Sequence, residues 1–315
     1  MKERIVEING VPVKLNDNGK ATDSVGYKVF IYTLMIVIGI ILVIPYFYMI
    51  MKSLMSVAEV TSPVFRFFPQ EFRYDNYLVY LGLAEETVDG LKIASVMAID
   101  FVGSLWNTMQ VAIFNLIAVP LSATFIAFGF ARCDFIGKNA LFAFMLSTMM
   151  LPAVVTQVPL FVLYSNIGWT DTLYPMTIPN ITGGGAMFIF LARSFIQSLP
   201  REIDNAAKID GAGPFRRYFY MTLPLCKPII IYIMVGVFNS AWGDYYGPLV
   251  WAVTDNFPTT IAYAVFNSME NATAAQQYVG IRMAAGTIMS IVPTILFFFF
   301  QKQLIEGVAM DGLKG

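Results

Sequence analysis

From Val29 to Met51 the chain carries no charged side chain, a run of about 23 residues closed by Lys28 and Lys52. At ~1.5 Å per residue such a helix is roughly 35 Å long, enough to cross a hydrocarbon core of ~30 Å. The run is too long for the apolar core of a secretory leader, and Lys52-Ser-Leu-Met55 lacks a small-residue cleavage pattern, so it reads as a permanent span. Similar runs recur along the whole sequence, with spans expected at about 28–51, 104–130, 139–165, 177–198, 226–251 and 282–301. Composition agrees: 57% of residues are hydrophobic and 13% charged, against roughly 45–50% and 25% in soluble domains.

The expected fold class is an all-α polytopic membrane protein of six transmembrane helices, with a short helix in the loop between the fourth and fifth spans. Its divisions are a tail over 1–27, a membrane domain over 28–301 with an outer loop at 52–103, and a tail over 302–315. Pro152, Pro159, Pro179 and Gly183-Gly184-Gly185 interrupt the third and fourth spans. Such breaks are tolerated in a membrane where neighbouring helices or a cavity satisfy the freed backbone. With both termini in the cytoplasm, five of the 20 Lys and Arg residues (Lys52, Arg66, Arg73, Lys92, Arg282) lie outside and the other 15 inside, as the positive-inside rule demands. The polar N-terminal stretch is expected to be flexible, and the outer loop, with its Phe-Pro and Tyr-rich stretches and Glu85-Glu86, to pack as a cap.

Several chemistries are excluded by what the chain lacks. There is no histidine, and the two cysteines, Cys133 and Cys226, are far apart, so His-based acid–base catalysis and a C-x-x-C redox pair are absent. A net charge of −1 without a basic domain gives nucleic acid no footing. No G-x-x-x-x-G-K-[ST] loop exists, so the chain has no phosphate cradle of that kind for ATP.

The most informative segment is 198–228. Ser198 is expected to cap a short helix, Pro200 fits its first turn, and Glu202 and Asp204 suit its positive end. Gly211 is a natural left-handed stop, and a second short helix should begin at Pro214 and end before Leu223-Pro224. Ala206-Ala207 is expected to leave one side flat enough for another surface to approach the backbone. On physical grounds alone this is either a docking element or an ordinary amphipathic loop.

Here the sequence resembles the EAA loop of ABC importer permeases, with Ala206, Ala207, Asp210, Gly211, Ala212, Leu223, Pro224 and Pro228 at that family's spacing. The family's coupling helix lies there, so the resemblance implies ATPase-coupling roles for Glu202, Asn205, Ala206, Ala207, Asp210, Gly211 and Ala212. Asn205 stands where the family usually has Glu; an amide hydrogen-bonds but forms no ion pair, so either Glu202 substitutes or the contact is weaker. Ala127–Lys138, Leu151–Leu160 and Trp242–Leu249 are similar to the family's span exits and third span, and Gln301–Gly315 to the tail of its maltose-type carbohydrate branch.

The resemblance implies a sugar importer subunit, not itself an enzyme, in a bacterial-type plasma membrane. Its implied partners are a second homologous permease as a heterodimer, two cytoplasmic ATPase subunits using ATP and Mg, and an extracytoplasmic sugar-binding protein; no cofactor or metal is held by this chain. Polar and aromatic residues inside spans are the substrate-pathway candidates: Gln157, Asn180, Asn239, Trp242, Asp244 and Tyr245. For each the alternative is helix–helix hydrogen bonding or an interfacial aromatic belt. An ion-gradient-driven secondary transporter is the competing class, with Gly183-Gly184-Gly185 as a broken-helix binding element. It calls for deep ionisable residues, and apart from Arg193 and Asp244 none is found. A membrane hydrolase lacks a nucleophile–base pair.

Overall fold

The computed structural model describes residues 4–8, 11–15, 25–84, 87–88, 91–92, 99–271 and 279–312. The Glu85-Glu86 patch and the last residues of the C-terminal tail lie outside them. Apart from two short hairpins the described chain is helical.

The N-terminal segment contains a short hairpin. Strands β1 (Arg4–Ile8) and β2 (Val11–Leu15) pair antiparallel, in register from Arg4↔Leu15 to Ile8↔Val11. That register leaves two residues, Asn9-Gly10, between the strands, a dipeptide suited to the two-residue hairpin loop. The segment between α1 and the next long helix repeats the device with β3 (Thr87–Val88) and β4 (Leu91–Lys92) flanking Asp89-Gly90 in sequence.

Helix α1 (Val25–Ser53) shows most of its apolar side chains to the outside and packs at its far end on the last helix, where Tyr46 Oη lies 3.1 Å from Ser290 Oγ. Short helices α2 (Val57–Thr61) and α3 (Asp75–Tyr80) follow, then α4 (Phe101–Arg132), α5 (Lys138–Ser147), α6 (Ala153–Asn166) and α7 (Ala186–Ser198). Beyond them come α8 (Arg201–Ile209), α9 (Pro214–Leu225, with a π-helical turn at Tyr218–Thr222), α10 (Lys227–Gly243), α11 (Tyr246–Trp251), α12 (Ile261–Asn271) and α13 (Val279–Gly312).

Among the described residues three single helices are long and apolar enough to cross a membrane: Gly26–Ser53, Phe101–Arg132 and Val279–Lys302. Two further crossings would each be a bent pair, Lys138–Met150 with Ala153–Asn166 at 98° and α9 with α10 at 77°. The expected third span is therefore broken. The bend falls at Pro152, whose ring drives Leu151 into extended backbone at φ −77°, ψ 122°. The expected fourth span is 3₁₀ turns at Tyr174–Met176 and Ile178–Thr182 followed by the 13-residue α7, about 20 Å of helix. Gly184 permits that entry: its φ is +62° and a Cβ there would fall 2.5 Å from Val119 Cγ1.

The core sits where α4, α7, α9 and α10 meet. Ala123, Ala127 and Ala131 recur every fourth residue on α4 and meet Ala192 and Ile196 of α7 and Ile229 and Ile233 of α10. Small residues at that spacing let helix backbones approach closely, which drives packing in lipid.

Candidate functional site: the interhelical loop and the intramembrane cavity

Helix α8 begins after Pro200, carries Glu202 and Asp204 in its first turn and Lys208 in its last, and stops at Gly211, whose φ is +76°. Both acids complement the positive helix end. Ser198 does not cap it: its hydroxyl donates to the Phe195 carbonyl in the last turn of α7. The second helix starts at Pro214 as expected but runs through the π turn to Leu225, past Leu223-Pro224.

One set of polar contacts holds this segment together and two fasten it to α4. Arg217 Nη1 donates to both Asp204 carboxylate oxygens, at 2.9 and 2.8 Å, and Lys208 Nζ lies 3.4 Å from the same carboxylate. The Tyr218 hydroxyl sits 2.9 Å from Thr124 Oγ1 of α4 and donates to the Leu121 carbonyl at 3.1 Å. Arg132 at the end of α4 donates to the Ile196 and Leu199 carbonyls, both at 2.7 Å, holding the α7–α8 junction.

The two alanines do not share a face. Ala207 is buried inside and Ala206 is exposed, because successive residues of a helix of 3.6 per turn point about 100° apart. The open face of α8 carries Glu202, Asn205, Ala206 and Ile209, the last 87% exposed. Glu202 and Asn205 lie three residues apart and so on neighbouring positions of that face. Asp210 and Gly211 are exposed and Ala212 half-buried at the turn.

Inside the helical body a cavity of about 270 Å³ opens between α4, the 3₁₀ turns, α7, α10 and α11. Asn115, Asn180, Ser240 and Asp244 are its polar lining, with Phe188 and Trp251 among its apolar wall. Asn180 Nδ2 donates to Asn115 Oδ1 at 3.2 Å and to the Met176 carbonyl at 2.9 Å, and Asn115 Nδ2 donates to the same carbonyl at 2.9 Å. Asp244 Oδ1 accepts the Gly247 N–H at 2.8 Å, which shapes the turn between α10 and α11.

Of the six in-span candidates the cavity thus brings together Asn180 and Asp244. Trp242 is a packing residue instead: it is 4% exposed, stacks on Phe238, and its Nε1 donates to the Met289 carbonyl at 2.8 Å. Gln157 Oε1 accepts the Tyr246 hydroxyl, Tyr245 stacks on Phe266 at 4.9 Å, and Asn239 is exposed. Asn115 and Ser240 were missed by sequence reasoning although they meet the same criterion, a polar group inside an apolar span. Arg132, Arg217 and Tyr218 carried no comparable signal. Among the described residues no three His, Cys, Asp or Glu gather as a metal site.

Apolar membrane helices packed around a polar cavity, with a short charged helix fixed to the end of the central span, define a polytopic membrane protein of the permease class. Residues 123–309 match the family described as the binding-protein-dependent transport system inner membrane component, and the chain belongs to that family. It is 29% identical over 275 residues to a probable ABC transporter permease of Pyrococcus horikoshii, covering 86% of this chain and 92% of that one. It is 31% identical over 210 residues to the maltodextrin transport system permease of Bacillus subtilis, 66% of this chain and 74% of the relative. The maltose/maltodextrin permease of Escherichia coli K12 is 28% identical over 263 residues, 78% and 83% of the two chains. The fold is shared with a solved bacterial ABC transporter involved in import of the acidic polysaccharide alginate, at TM-score 0.68 and 18% identity over 90% of this chain and 99% of that one.

Proposed function

We propose that this chain is one permease half of an ATP-driven, binding-protein-dependent importer of sugars, with oligosaccharides as the substrate class. The reading rests first on the fastened helix α8, a rigid element with an open outer face, and second on relatives named for maltodextrin and maltose. In this reading six crossings with both termini cytoplasmic make half of the pathway, and a homologous permease makes the other half. Two ATPase subunits bind ATP and Mg²⁺ and grip the loop at 200–213 through Glu202, Asn205, Ala206, Asp210 and Gly211, with Ala207 and Ala212 packed behind. Their closure moves α8 with α4 and α9 and so switches the pathway between its two open states. A sugar-binding protein delivers substrate to the outer face, and Asn180 and Asp244 contact it on the way through; Gln157, Asn239 and Tyr245 lie along the route.

Reconstitution decides it. The complete importer in proteoliposomes should accumulate labelled oligosaccharide with ATP, and no accumulation under a proton or sodium gradient alone. Gradient-driven uptake without the ATPase subunits would replace this reading with a secondary transporter.

A further inference from the structure

The polar wall of the intramembrane cavity is lopsided. The amide nitrogens of both asparagines are engaged within the wall, each donating to the Met176 carbonyl and Asn180 also to Asn115 Oδ1. The residues lining the space supply the Asn180 side-chain oxygen, the Asp244 carboxylate, which takes backbone N–H bonds from Gly247 and Tyr246, and the Ser240 hydroxyl, which both donates and accepts. No Lys or Arg is among the lining residues.

We propose that this wall makes Asp244 a selectivity residue: the importer passes uncharged sugar units and discriminates against acidic ones. The inference deepens the sugar-import reading and rests on it. A sugar hydroxyl donates to such acceptors, and its C–H face meets the rings of Trp251 and Phe188. A uronate carboxylate would face Asp244 with like charge, with no Lys or Arg in the lining to pair with. At about 270 Å³ the space lies just under the usual pocket range of roughly 300–1,000 Å³, so it reads one part of a chain at a time. The solved transporter that shares this fold is involved in import of the acidic polysaccharide alginate; the lining here holds a carboxylate and no Lys or Arg.

The test uses the whole importer, purified with its permease partner and ATPase subunits but without the binding protein. It is titrated calorimetrically with maltotriose, cellotriose and galactotriose, and with the same sugars oxidised to a terminal uronic acid. At least one neutral trisaccharide should bind about tenfold or more tighter than its acidic form. Asp244→Asn, which keeps an oxygen for the Gly247 N–H, should shrink that gap to about threefold or less. Where binding in detergent falls below detection, the same ratios are read from ATP-driven uptake with saturating binding protein. Equal wild-type affinities, or a gap that Asp244→Asn leaves unchanged, would overturn the selectivity role while sugar import stands. Failure of every sugar both to bind and to be imported would overturn the two together.

Discussion

Arg217 closes on Asp204 across thirteen residues of chain, one guanidinium nitrogen donating to both carboxylate oxygens at 2.9 and 2.8 Å. Both residues are buried, at 6% and 9% exposure. The pair ties the first turn of α8 to α9, and Tyr218, the next residue, ties α9 to α4. Two short helices and the turn between them are therefore tied to the central span by side-chain bonds. An isolated nine-residue helix would be marginal in water.

Breaking that pair by removing Arg217 leaves the buried Asp204 carboxylate with only the half-exposed Lys208, 3.4 Å away. Arg217→Met should destabilise the permease by about 3–5 kcal/mol, read as a lowered thermal midpoint of the purified importer. Transport per ATP hydrolysed should fall with it. Asp204→Leu combined with Arg217→Met should recover much of the stability but not the coupling, since the block loses its fastening.

Gly211 is required for its backbone alone. Its φ is +76° and a Cβ added there meets nothing within 4 Å, so substitution costs no steric clash with neighbours. A β-branched residue in that conformation costs about 1–2 kcal/mol. Gly211→Val should leave membrane insertion intact and uncouple ATP hydrolysis from uptake, with Gly211→Asn milder because Asn tolerates the left-handed region. Uptake by Gly211→Val equal to wild type would remove α8 from the coupling role.

How much of this was legible in the sequence differs from element to element. The uncharged run after Lys28 and the Pro214 start of α9 follow from local rules, and α1 and α9 begin near where those rules put them. The Asn9-Gly10 and Asp89-Gly90 dipeptides are equally local signals for the hairpins that flank them, and the sequence reading passed over them. The 98° break at Pro152 was visible as a proline, but its size depends on packing beyond the local sequence. Long-range pairings such as Asp204 with Arg217, Tyr218 with Thr124, and Asn115 with Asn180 are products of folding, and no spacing rule announces them. Trp242 was a pathway candidate by residue type with helix–helix hydrogen bonding as the alternative, and its N–H satisfies a carbonyl on α13, as that alternative has it.

The segment after α1 carries a carboxylate clasp at Glu59. Burial pushes the Glu59 carboxyl up, but N–H groups of Gln70 and Ser56, the Ser56 hydroxyl and the Arg66 charge outweigh it and hold the group below its ordinary 4.5. A depressed carboxyl stabilises the fold above its unfolded value, and that contribution is lost as pH falls through the folded value. The clasp should therefore hold at neutral pH and loosen below about pH 4.5. Hydrogen exchange at the Gln70 amide, which donates to Glu59 at 2.6 Å, should accelerate there relative to its intrinsic rate. Glu59→Gln should show the faster exchange at neutral pH too; equal protection in wild type and variant would sink the assignment.

Tyr218 offers the least disruptive way to loosen α9 from α4. Its hydroxyl is the only atom lost in Tyr218→Phe, and the ring still packs against Phe125 and Phe128. Thr124 keeps its own bond to the Pro120 carbonyl at 2.6 Å, so no buried donor is orphaned. The stability cost should accordingly be about 0.5–1.5 kcal/mol, with assembly and basal ATP hydrolysis unchanged. If force passes from α8 through α9 to α4, the variant should transport less substrate per ATP. Thr124→Ala should lower that ratio similarly, and the double variant should be far from additive because both changes cut the same link. Additive losses would mean that the two side chains act separately and that the force reaches α4 through Arg132 and the end of α7 instead.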